Sequence, residues 1–270
     1  MIPFRILSLS LSLLFAFIAG AQGLVDGFFN GKNSYTAVLG GGYEYNERYL
    51  AGDRGLDLEK SFSNINAFVA YGLNPTWDLN IAAAYVKSGD EKGFQDARIA
   101  TKFKVYETQL GAYQLSAQLA AGGSFPLSAY QTEGLNAIGQ RAFSLQSRFL
   151  IHAQNKTGFF LTTQTGYDYK FEPVPNAVVG SLKVGLARSN YYLDAFIDVQ
   201  NSVDGADYRG SPAPNNFREL EVDFMRVGLT FYKPLFSFMG VYLNTAYTLD
   251  GRNVGLGPAV NMGIVYKSKL

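Results

Sequence analysis

The sequence contains no cysteine among its 270 residues and a single histidine, His152. The first absence excludes disulfides, Fe–S clusters, Cys-bound zinc and thiol catalysis. The second excludes a metal site built from several imidazoles. Charge is scarce: 17% of residues are charged, against about 25% in an ordinary soluble protein. The balance is only +1, with 23 Lys+Arg against 22 Asp+Glu, so no basic excess is present to hold a nucleic-acid backbone. A single tryptophan stands beside 18 tyrosines, 21 phenylalanines and 29 glycines. After the first 21 residues no stretch approaches the ~18 apolar residues of a spanning helix. A mature chain that lies in a membrane must then be a closed barrel, because only helices and closed barrels satisfy every backbone N–H and C=O in lipid.

Residues 1–21 read as a secretory leader. Arg5 supplies the positive start, Ile6 to Ile18 an apolar stretch too short to span a bilayer, and Ala19-Gly20-Ala21 a small-x-small cleavage site. No cysteine follows, so the leader is not of the lipoprotein type. Cleavage is expected to leave Gln22 first and to remove one of the 23 basic residues, giving a neutral mature chain. Residues 22–32, QGLVDGFFNGK, are Gly-rich and without periodicity. They are expected to form a flexible segment that either tucks into the lumen or, the favoured reading, hangs in the periplasm, with the barrel at 33–270.

From there the chain alternates. Tyr191, Leu193, Ala195, Ile197 and Val199 share one parity; Tyr192, Asp194, Phe196, Asp198 and Gln200 share the other. A period of two is a strand with one apolar and one polar face. Twelve such segments are expected, at 33–45, 60–73, 77–87, 96–106, 111–124, 142–154, 158–169, 177–189, 191–201, 217–231, 238–250 and 257–270. In the tenth, the parity of Leu220, Val222 and Phe224 hands over to Val227, Leu229 and Phe231 near Met225, which reads as a β-bulge. Short connections alternate with long ones rich in Gly, Pro, Asp and Asn, as in a bacterial outer-membrane barrel. An even strand count puts both ends of the barrel on the periplasmic, short-turn side. A soluble barrel or sandwich would alternate too, with its apolar face inward. The long segments, the Asn/Gln/Ser/Thr-rich polar face and the aromatics near strand ends (Tyr43, Trp77, Tyr113, Tyr169 and Tyr266 among them) favour apolar-out. The expected fold is a transmembrane antiparallel up-and-down β-barrel.

Inward parity assigns charge to the lumen. Arg98 and Lys102 on the fourth strand face Asp223 and Glu221 on the tenth across a twelve-strand barrel, with Arg148 and Asp198 between. These six are the candidate constriction, as a transverse field that orients polar solutes. The same charges could instead neutralise one another in a closed lumen. Catalysis finds no support. His152 is followed by Ala153-Gln154, where the barrel phospholipases carry His-x-Ser, so the nucleophile–base pairing that such chemistry needs is missing. Gly40-Gly41-Gly42 lacks the Lys-Ser/Thr of a phosphate loop and marks a bend or a close backbone approach within a strand.

One stretch resembles a known family. Ala70-Tyr71-Gly72-Leu73, a short turn and Trp77-Asp78-Leu79 lead to Gly93-Phe94-Gln95-Asp96-Ala97 and Lys102-Phe103-Lys104. This is similar to outer-membrane barrels of the meta-pathway phenol-degradation type, a set of proposed transporters, over about residues 60–106. Gln95 stands where that family's second glycine is expected. The resemblance implies uptake of small molecules, hydrophobic ones included, and identifies no substrate.

The expected protein is thus a monomeric outer-membrane channel or transporter of a Gram-negative bacterium, passing small solutes passively without a cofactor. Its expected partners are the outer-membrane lipid, the barrel-assembly machinery during insertion, and the solutes. The alternative is a structural or interaction barrel with a closed, salt-bridged lumen and partner-binding loops.

Overall fold

The computed structural model describes residues 25–134 and 136–269; the leader and its cleavage site lie outside the described residues. Twelve long strands form the wall. They are β1 (Ser34–Asn46), β2 (Lys60–Asn74), β3 (Trp77–Ser88), β4 (Asp96–Leu110), β5 (Tyr113–Pro126), β6 (Ser144–Asn155), β7 (Phe159–Lys170), β8 (Ala177–Arg188), β9 (Tyr191–Ser202), β10 (Asp223–Pro234), β11 (Met239–Arg252) and β12 (Gly255–Lys269). Each pairs antiparallel with its chain neighbours. The sheet closes where β1 meets β12, from Ser34↔Lys269 to Glu44↔Ala259. Closure leaves no edge strand.

The faces are inverted relative to a soluble barrel. Leu39, Ile65 and Met262 are 60%, 61% and 59% exposed, while Lys102, Gln118 and Asp198 are 1%, 0% and 0% exposed. Apolar side chains point out and polar ones in, which is stable only if lipid surrounds the wall. No helix of the described residues is long and apolar enough to cross a membrane; strands of 12 to 15 residues exceed the ~9–11 that a tilted crossing needs. Aromatic pairs ring both ends. Tyr35–Tyr266, stacked Trp77–Phe103 and Tyr113–Phe159 lie toward the short turns, and Tyr85–Phe94 and Tyr169–Phe171 toward the long loops.

The structure differs from the simple alternation in several places. The tenth strand starts at Asp223, because Asn216 caps a 3-10 turn over Phe217–Glu219 by accepting from the Arg218 N–H. That turn takes Glu219 and Glu221 out of the wall. The register does shift at Met225/Arg226, but Met225 pairs with Asp250 and Arg226 with Thr248. The extra residue is therefore Leu249 on β11, and β10 keeps one parity with Phe224 inward, beneath the Arg226 guanidinium. A short hairpin strand, Glu91–Phe94, extends β4 upward along β3. The glycine run in β1 is a close approach: a Cβ at Gly40 would meet the Tyr242 hydroxyl, and one at Gly42 the Asn261 amide.

Candidate functional site

Eight strands make a barrel that side chains fill, and sixteen leave an open channel. Twelve strands leave room, and here the chain's own N-terminal segment occupies it. Val25–Asn30 does not hang in the periplasm but runs inside the barrel, where wall residues satisfy its backbone. The Lys102 ammonium donates to the Asp26 carbonyl at 2.7 Å, to the Phe28 carbonyl, and to Asp26 Oδ1 at 3.4 Å. An ammonium has three N–H donors, and all three are met by the segment. Gln118 donates to the Gly27 carbonyl at 2.8 Å. The Asn30 N–H and side-chain amide both donate to Asp78 Oδ2, at 3.1 and 3.0 Å. Thr36 at the base of β1 donates to the Asn30 carbonyl oxygen of the side chain at 2.7 Å.

Apolar contacts complete the seat. The Phe28 ring stands edge-on to His152 and Phe160, with centroids 4.7 and 5.1 Å apart. Phe29 lies under the Lys102 and Lys104 ammoniums, an arrangement attractive through the ring quadrupole. Val25 packs with Ala100, Ala120 and Leu150. Gly27 passes so close to the wall that a Cβ would collide with the His152 ring and the Thr162 hydroxyl. A Gly-rich segment is what this passage requires.

The segment divides the lumen. A cavity of about 630 Å³ has Val25 and Asp26 in its wall, together with Asn66, Asn80, Arg98 and Lys183. A second, of about 330 Å³, lies against Gly27–Gly31 and is bounded by Pro75, Glu107, Gln114 and Gln154, all near the short turns.

The long loops fold over the opposite mouth. In the β5–β6 loop (127–143), the Tyr130 hydroxyl donates to Asp96 at 2.6 Å. Burial and that carboxylate push the hydroxyl far above its ordinary titration range, so it remains a donor. Lys60 donates to the Ala137 carbonyl at 2.8 Å. The β9–β10 loop (203–222) meets it: Arg218 donates to the Gln140 carbonyl at 3.0 Å and to the Arg141 carbonyl at 3.2 Å, and Gln140 donates back to the Leu220 carbonyl at 3.1 Å.

The six charged residues singled out from the sequence fall into separate settings. Arg98 is exposed to the larger cavity. Lys102 is enclosed by the N-terminal segment. Arg148 forms a buried ion pair with Asp168 on the neighbouring strand, at 2.6 Å. Asp198 accepts from Ser181 at 2.8 Å and pairs in register with Arg226. Glu221 and Asp223 are gathered with Asp207 around Arg252 at the long-loop rim, at 2.7, 3.8 and 3.7 Å. No ion pair joins any two of the six among the described residues.

Two expected outcomes follow. Arg148→Ala leaves Asp168 buried without its partner, a change that typically costs roughly 3–5 kcal/mol. Equilibrium urea unfolding in lipid vesicles should show a loss of that size, largely restored in the R148A/D168N double variant; an unchanged midpoint would remove the pair from the account. Glu221→Gln with Asp223→Asn should leave ion selectivity near wild type in reversal-potential measurements, because both carboxylates serve Arg252 outside the closed part of the lumen. A marked shift toward anions would put them back in the conducting path.

The segment's seat was not visible in the sequence. Asp78, Gln118 and Thr162 carry nothing in the sequence that sets them apart from other polar residues of alternating strands. Asp26 and Asn30 lacked any periodicity. The only hint was compositional, two phenylalanines among glycines.

A family model described as "Putative MetA-pathway of phenol degradation" matches residues 59–231, far beyond the stretch around 60–106. The COG4313 outer membrane channel from Pseudomonas putida F1 has a similar fold, with a TM-score of 0.69 at 10% identity over 91% of this chain and 100% of that one. The translocator domain of the autotransporter NalP from Neisseria meningitidis follows at 0.48, with 10% identity over 88% of this chain and 89% of that one. An active-site mutant of outer membrane phospholipase A from Escherichia coli gives 0.45, with 9% identity over 91% and 94%. At 10% identity the likeness to the COG4313 channel is one of fold alone. No curated protein sequence matches.

Proposed function

The chain belongs to this MetA-pathway phenol-degradation family, and on that footing we propose that it is an outer-membrane channel through which small solutes, hydrophobic ones included, pass passively. The observation that carries this reading is the divided lumen: two cavities inside one wall, separated by a single extended stretch of main chain. A wall closed by packed side chains would offer no such path. The larger cavity, at about 630 Å³, lies within the usual range of small-molecule sites, roughly 300–1,000 Å³. It sets Asn66, Asn80, Asn244 and Asn261 against Val38, Phe68 and Val265, a lining suited to small solutes with an apolar body and a polar group.

The chemistry is passage rather than catalysis, without a cofactor. His152 is spent on Thr162, at 2.7 Å, and on the Phe28 ring. Residence in a Gram-negative outer membrane, delivery by a cleaved leader, insertion by the barrel-assembly machinery and a monomeric state belong to the same proposal. The lipid-facing wall and its aromatic girdles support it.

The closed, structural barrel is favoured by one set of contacts, the loop bridges over the long-loop mouth. Planar-bilayer recordings and swelling of proteoliposomes in small solutes separate the two. A channel gives discrete current steps and solute-dependent swelling. A protein that inserts, is fully folded, and gives neither is the structural barrel.

A further inference from the structure

The Asp26 carboxylate is the only acidic group that the N-terminal segment brings to the larger cavity, and the cations around it come from three well-separated strands. Lys102 on β4 is in direct contact, at 3.4 Å. Lys183 on β8 and Lys267 on β12 line the same cavity as Asp26, and each lies within its electrostatic reach. Three strands lie between each lysine and the next around a ring of twelve, so the three surround the lumen. Neither Lys183 nor Lys267 has an ion-pair partner within 4 Å among the described residues; Lys267 rests over the Tyr232 ring. Arg98, on the same cavity, is likewise without one.

The other carboxylates facing this cavity are already engaged. Asp96 accepts from the Tyr130 hydroxyl and Asp194 from the Tyr192 hydroxyl. Asp198, on the strand next to Lys183, is fully buried outside the cavity lining and accepts from Ser181. Asp26 differs in being mobile in principle, because it belongs to the segment and not to the wall. Its side chain is 59% exposed while that of Lys102 is 1% exposed, so the carboxylate is open to the cavity from which a solute would approach. Like charges on Lys102, Lys183 and Lys267 repel one another once no anion stands between them.

We propose that the larger cavity is a site for small organic carboxylates, in which the solute's carboxylate competes with Asp26 for the positive field of Lys102, Lys183 and Lys267 and so loosens the N-terminal segment. This rests on the channel reading and adds to it both a substrate class and the means by which that substrate opens its own path. The solute and Asp26 compete for the same cations, so binding and seating of the segment oppose each other.

The test uses the full mature chain in nanodiscs and in planar bilayers, with benzoate as probe and benzamide as its neutral counterpart. By calorimetry, benzoate should bind and benzamide should bind at least tenfold more weakly. Asp26→Asn should tighten benzoate several-fold, because its competitor is gone, whereas K183M/K267M should weaken it at least tenfold. A merely structural Asp26 would not produce tighter binding on its removal. In bilayers, benzoate but not benzamide should raise the open probability of the wild type, and D26N should be open without it. Equal binding of benzoate and benzamide, or weaker benzoate binding by D26N, overturns the inference while leaving the channel reading intact. Carboxylate-selective binding with no current under any condition removes the channel reading instead.

Discussion

Deleting Val25–Asn30 is expected to raise the single-channel conductance several-fold and to lengthen the open time, with the barrel still folded. The segment lies between the cavities of about 630 and 330 Å³, with Val25 and Asp26 lining one and Gly27–Gly31 the other. Its removal exposes groups that cannot stay dry. Lys102 loses the Asp26 and Phe28 carbonyls, Gln118 loses the Gly27 carbonyl, and Asp78 loses both Asn30 donors. Buried polar groups without partners are expensive, and a buried ammonium more so, so water must enter and join the two cavities. The wall should survive, since its inter-strand pairing and its lipid-facing side chains do not involve residues 25–30. Heat-modified mobility on gels checks the fold, and planar-bilayer recording the conductance. A folded deletion variant with wild-type conductance would mean that the path is closed elsewhere.

The second large effect concerns the long-loop mouth. Gln140 and Arg218 exchange hydrogen bonds across it, on loops that lie 78 residues apart in sequence. On the channel reading, a solute that uses this mouth requires these loops to part. Replacing both residues with cysteine provides a pair that can be joined, and the natural chain has no other cysteine to compete. Oxidation should abolish proteoliposome swelling in small solutes when added from the loop side, and reductant should restore it. Small-ion current should fall less, because ions can thread between the loops. Unchanged swelling in the oxidised variant would show that solutes leave or join the lumen by a route other than the mouth.

What could be read from sequence divides along a physical line. Alternation identifies wall strands because lipid and lumen impose opposite demands on successive residues. Tyr191–Gln200 shows it plainly, and β9 covers Tyr191–Ser202. The same rule extended the tenth strand too far, because Glu219, Glu221 and Asp223 keep a two-residue spacing through a capped 3-10 turn. Asn216 before Phe217-Arg218-Glu219 was the local signal, an asparagine placed to accept from the first turn. The N-terminal segment carried no comparable sign. Its seat is assembled from Asp78, Lys102, Gln118, His152 and Thr162, on five different strands, and exists only once the barrel closes. Lys102 was singled out for its charge. Its use, holding main-chain carbonyls, depends on a segment 76 residues away in sequence.

The measurement that bears most directly on this account is the current through a single N30C/D78C channel, recorded before and after reductant in the same bilayer. Asn30 and Asp78 are joined by two hydrogen bonds, so a disulfide there fixes the segment in its seat, and reduction leaves it held less firmly than in the natural chain. The account predicts a channel that is closed or minimally conducting when oxidised. On reduction it should rise above the wild-type level. Equal currents in the two states, with the disulfide shown to form and break, would contradict the claim that the N-terminal segment is what closes the lumen.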